Sequence, residues 1–169
     1  MKSIKKFVAV RRIVFCFLLL AFAGRTHAQD TTPVQMYNKL ADIFINMTAL
    51  AKDMSDKYQE YFPARLWIGI KPSRLSLQNY CANNITVLSE MKDVAGSYDL
   101  RQALIKLLEM EKELAEVYTN FDEFDENTSA DTANEKKHSR ESYFTNTVDP
   151  QVTVVGNEWD LYISKNGIK

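Results

Sequence analysis

The stretch Thr32–Phe62 restricts what this chain can become more than any other. Met36/Tyr37, Leu40, Phe44, Met47, Leu50/Ala51, Met54, Tyr58 and Tyr61 recur at steps of three and four residues. That period lays them along one stripe of an α-helix. Thr32 supplies an N-cap side chain, and Pro33 suits the first helical position, where no amide hydrogen is needed. At about 1.5 Å per residue the helix runs on the order of 45 Å. It cannot bury such a stripe alone, so the rest of the chain must supply partner helices.

Two partners can be read further on. Ser73 can cap a helix reaching about Ala95, with Leu77, Cys81, Asn84/Ile85, Leu88, Met91 and Ala95 on one face. Gly96-Ser97 breaks it, and Asp99 is placed to cap a third helix. Leu100, Ala103/Leu104, Leu107/Leu108, Leu114/Ala115, Tyr118 and Phe121 continue the pattern there. The helix-turn-helix around Gly96-Ser97-Tyr98-Asp99-Leu100-Arg101-Gln102-Ala103-Leu104, behind a long exported helix, resembles uncharacterised helical-bundle surface or periplasmic proteins of bacteria. The resemblance covers helices one to three. It implies a helical bundle outside the cytoplasm and brings no activity or site with it.

Residues 1–28 read as a secretory signal. Lys2, Lys5, Lys6, Arg11 and Arg12 open it, and Ile13–Ala23 is an apolar run well short of the ~20 residues that span a bilayer. Cleavage fits after Ala28, with Ala23 a second position. Cys16 does not suit lipid attachment, because Phe15 precedes it and apolar residues follow. The length and apolarity of the run favour ordinary unfolded export over the twin-arginine route that Arg11-Arg12 could suggest.

Losing that segment changes the charge. The full chain holds 21 basic and 22 acidic residues, and six of the basic ones lie before residue 29. The remainder is left with 15 basic against 22 acidic, a poor match for nucleic acid or an anionic membrane. Of the two cysteines only Cys81 survives, so no intrachain disulfide can form and the fold must stand on apolar burial. Cys81 sits within its helix's apolar stripe and reads as a small core residue, not a redox thiol.

Between the first two helices, Leu66-Trp67-Ile68-Gly69-Ile70 is an apolar run flanked by Pro63 and Pro72. It reads as a loop capping one end of the bundle, or a short strand, or an exposed patch for a partner; Leu66, Trp67, Ile68 and Ile70 are the candidate partner residues. From Asp122 the chain turns polar. Between Phe124 and Tyr143 the only apolar side chains are Ala130 and Ala133, which predicts a polar connector over 125–149. Gln151–Val155 and Glu158–Ile163 flank Gly156-Asn157, a two-residue turn signal, and predict a β-hairpin over 150–164 docked on the helices. The hairpin is expected near Leu66–Ile70, or at the opposite pole if residues 128–146 form a fourth helix.

Reactive constellations are thin. Asp122, Glu123, Asp125 and Glu126 lack the alternating loop and glycine of a calcium site. Glu135-Lys136-Lys137-His138 has the spacing of one half of a di-metal motif, but no second copy exists. Met36 and His138 echo the ligand layout of haem-carrying bundles, although His138 lies in a polar run. There is no Gly-x-Ser-x-Gly elbow and no glycine-rich phosphate loop. Asn46, Asn84 and Asn127 match the glycosylation pattern, the first two inside helices.

The expectation is therefore a mainly α protein: an antiparallel bundle of three long helices over 29–124, with room for a short fourth, and a C-terminal hairpin. It is expected to be exported, periplasmic or extracellular, and non-enzymatic, with no cofactor or metal and no membrane span in the mature chain. It should act by protein binding or envelope assembly, through a protein partner and not nucleic acid; the oligomeric state stays open. A small-ligand or haem carrier is the competing class.

Overall fold

The computed structural model describes residues 31–117, 121–122, 124–125 and 127–169. The signal segment 1–28, with its cleavage positions and Cys16, lies outside them, as do Tyr118, Glu123 and Glu126.

Helix α1 runs Pro33–Tyr61 as one uninterrupted element. Thr32 caps it reciprocally: the Gln35 amide donates to Thr32 Oγ1 (3.2 Å) and the Thr32 amide donates to Gln35 Oε1 (2.8 Å). Met36, Tyr37, Leu40, Met47, Met54 and Tyr58 are buried, as the period requires, and Phe44, Leu50, Ala51 and Tyr61 pack partly against the core. Helix α2, Lys71–Glu90, starts two residues before Ser73 and ends five before Ala95. Pro72 occupies its first turn, and Ser73 donates instead to Asp53 Oδ2 of α1 (2.6 Å). Gly96 marks the break as expected, and the chain reverses through left-handed backbone at Ala95 (φ 52°) and Gly96 (φ 76°). Helix α3, Tyr98–Val117, follows. Its first turn is held by Ser97 and not by Asp99: the Ser97 carbonyl accepts from the Arg101 amide (2.9 Å).

The connector and hairpin expectations are overturned. Residues 130–166 form a fourth helical rod: α4 (Ala130–Tyr143), a π turn (Phe144–Val148) and α5 (Asp149–Asn166). Among the described residues there is no strand. Gly156-Asn157 lies in the middle of α5. The run Val152-Thr153-Val154-Val155 is strand-like only locally. Val148, Gln151, Val155, Trp159 and Tyr162, at steps of three and four, form a buried helical stripe, and burying it decides the outcome. Pro150 and Asp149 in the first turn, Lys165 in the last and left-handed Gly167 (φ 60°) beyond it punctuate a helix, not a hairpin.

The four rods alternate in direction. Gln151 Nε2 donates to the Ala103 carbonyl (2.9 Å), and Tyr162 Oη reaches the Val94 and Pro33 carbonyls (3.2 Å each). So α5 descends antiparallel to α3 and ends beside the start of α1. At the other pole Ala130 and Ala133 share a cleft with Phe62 and Trp67. The result is an up-down-up-down bundle with the C-terminal element at the pole opposite Leu66–Ile70. No helix among the described residues is long and apolar enough to cross a membrane.

Candidate functional site

The loop joining α1 to α2 is built around its aromatic anchors. Phe62 ends α1, Pro63 prevents continuation, and Arg65 turns the chain with φ at 55°. The Leu66 amide then donates back to the Tyr61 carbonyl (3.1 Å), and Trp67–Ile70 form one 3-10 turn. Gly69 permits this fold-back, since a Cβ there would lie 2.6 Å from Tyr61 Cδ2. Trp67 drops into a nest of rings, stacked on Phe121 (centroids 5.9 Å apart) and edge-on to Phe62 (5.1 Å) and Phe124 (5.5 Å). Such pairs add to what area burial alone contributes.

Of the four candidate partner residues, the structure divides two from two. Trp67 and Ile70 are 4% and 1% exposed, so they anchor the loop from beneath. Leu66 and Ile68 are 56% and 63% exposed and project outward. Beside them opens a cleft of about 160 Å³, floored by Phe62, Pro63 and Trp67 and edged by Arg65, Ala133 and Asn134. The cleft is open to solvent and has room for an inserted side chain. Lys71 and the buried Arg74 converge on Asp122 Oδ2 (3.3 and 2.6 Å), which fixes the neighbouring turn.

A second polar feature lies inside the bundle. Glu111 of α3 is 5% exposed, and its Oε2 has no hydrogen-bond partner among the described residues. Burial pushes its carboxyl up to about 7 against the opposing pull of the Arg140 cation. Arg140, from α4, lays its guanidinium over the Tyr58 ring (4.6 Å to the centroid) and reaches Ser55 Oγ (3.4 Å). Burial raises Cys81, on the α2 side, to about 12, and the Glu111 charge adds to that. A thiol held so far from its thiolate form is inert.

The remaining candidates are not brought together. The His138 side chain is 78% exposed and faces Glu141 Oε2 at 3.7 Å. Met36 is buried near the far pole; Arg140, two residues from His138, meets α1 at Ser55, nineteen residues along from Met36. At 1.5 Å per residue that separation is about 28 Å, which no single haem bridges. Glu135 is exposed, and Asp125 spends its oxygens on the Asn127 and Thr128 turn. Among the described residues no group of three or more His, Cys, Asp or Glu could hold a metal ion.

Sequence reasoning missed the buried Glu111 and the Arg140 cation that acts on it through space. The signal was there for Glu111: it occupies a core-facing position in the series Leu104, Leu107/Leu108, Leu114/Ala115. No protein-family model matches the chain, and neither curated proteins nor solved structures yield a match.

Proposed function

We propose that this chain is an exported, non-catalytic helical bundle that binds a protein partner through its Leu66–Ile70 loop, in assembly at the cell envelope. The observation that carries the reading is the division within the loop: two anchored residues, Trp67 and Ile70, hold two apolar ones, Leu66 and Ile68, out in water. Leu66 and Ile68 stand two residues apart on one preformed turn, so they can contact a partner together. The adjoining cleft offers a hole for one side chain of the partner, and the anchoring rings keep the surface preformed, which lowers the ordering cost of binding. The basic start and apolar run of residues 1–28 support export.

The test is a Leu66→Ser/Ile68→Ser double variant, with Val87→Ser at an exposed position of α2 as the control. Both substitutions fall on exposed side chains, so stability should change by no more than about 0.5 kcal/mol. After mild crosslinking in an envelope extract, wild type and Val87→Ser should retain one common partner protein and the double variant should lose it. Equal retention by all three would remove the loop from the proposal.

A further inference from the structure

Asn46, Asn84 and Asn127 each have a serine or threonine two places on, and the fold treats the three differently. Asn46 and Asn84 stand well inside α1 and α2. Their hydroxyl residues are turned back onto the helix: Thr48 Oγ1 donates to the Phe44 carbonyl (2.9 Å), and Thr86 Oγ1 to the Ala82 carbonyl (3.3 Å). Asn84 Nδ2 is likewise held by the Tyr80 carbonyl (2.8 Å). Asn127 is exposed and lies ahead of α4, in a turn closed by the Thr128 amide donating to the Asp125 carbonyl (3.1 Å). Ser129, also exposed, is the residue that caps α4. The side-chain hydrogen bonds of this turn join exposed groups, so water can replace them at little cost. Exposure alone does not single out Asn127, because Asn46 is exposed too. What differs is the backbone. In a helix, side chains two residues apart do not face each other, so one enzyme cannot grip the amide and the following hydroxyl together.

The residue two places before each asparagine makes a second distinction: Phe44, Ala82 and Asp125 in turn. Bacterial enzymes that attach glycans to asparagine read an acid at that place as well as the hydroxyl beyond. We propose that Asn127 is the acceptor of an N-linked glycan, delivered from a polyprenyl pyrophosphate-linked oligosaccharide. The proposal rests on the export reading above, since the transfer takes place outside the cytoplasm. Asn127 Nδ2 attacks the anomeric carbon, and the new C–N bond forms as the bond from that carbon to the pyrophosphate oxygen breaks. The electron pair leaves with the lipid pyrophosphate, and the amide gives up one proton to a base of the enzyme. Thr128 and Ser129 also edge the cleft beside Trp67, so the glycan stands at the pole of the Leu66–Ile70 loop.

The test is production of the full chain, with its own leader, in a bacterium carrying an oligosaccharyltransferase and its lipid-linked glycan. Peptide masses then report two things separately: the N-terminus of the chain, and the mass at each asparagine. The expected result is a processed N-terminus, the glycan on Asn127, and bare Asn46 and Asn84. Asn127→Gln and Ser129→Ala should abolish the modification, and Ser129→Thr should keep it. Asp125→Ala should lower occupancy at least tenfold, whereas Asp125→Glu, which preserves the acid, should retain it. A processed chain with bare Asn127 would overturn the proposal and leave export standing. An unprocessed chain would count against export instead, and the leader is then exchanged for one of proven function; bare Asn127 in that exported chain overturns the proposal as well. So would modification of Asn46 or Asn84 to the same extent.

Discussion

A buried carboxyl whose Oε2 has no hydrogen-bond partner among the described residues is a liability whose sign depends on pH. The folded state favours the neutral form of Glu111, because burial lifts its proton affinity from the ordinary 4.5 to about 7. Its stabilising contribution is therefore complete below pH 4.5 and is lost as pH rises to about 7. With about 1.4 kcal/mol per pKa unit, the amount at stake is about 3 kcal/mol. Glu111→Gln should accordingly raise the urea midpoint at pH 8 and change it little at pH 4, where the wild-type carboxyl is already neutral. A variant equally destabilised at both would show that packing around the side chain, not its charge, governs the site. At this scale much was legible in the sequence: Tyr58, Leu77, Cys81 and Leu104 are all buried where the helical period puts them. Glu111 could have been read from the same period. Arg140 could not, since a cation in a run of polar residues gives no sign of the ring it will cover.

Among the elements, α1 was read nearly to the residue because its stripe, its cap and its terminal proline all agree. The fourth rod was missed for two physical reasons. Its α4 half has almost no apolar side chains for a periodicity to act on. In addition, the stripe passes from Tyr143 to Val148 in a step of five, the width of the π turn, so a search at steps of three and four loses it there. What followed then read as a hairpin on the strength of Gly156-Asn157. Gly156→Ala tells the two apart. Nothing lies within 4 Å of a Cβ added there, so in mid-helix alanine should stabilise by about 0.5–1 kcal/mol and raise the helical circular dichroism signal. In a two-residue hairpin turn the same change would destabilise. The candidate site was half legible: the apolar run Leu66–Ile70 stood out, but which residues faced inward depended on Phe121 and Phe124, more than fifty residues away.

Across the whole molecule, the alternation of four rods separates two poles by roughly the length of α1, on the order of 40 Å. One pole carries the Trp67 aromatic nest and the outward Leu66 and Ile68; the other brings Tyr162 onto Pro33. Spin labels at Val34 and Leu161, both half-exposed or more, should give a short interspin distance, about 20 Å or less, whereas Ile68 and Leu161 should lie about 40 Å apart. A short second distance would mean the C-terminal element docks at the loop end after all. The same contact between Tyr162 and Pro33 gives the protein a handle and a tip. A bead, surface or fused domain attached through residue 31 or residue 169 grips the base of the rod. The two bare side chains of the loop are then held foremost, about a bundle's length from whatever the molecule is fastened to.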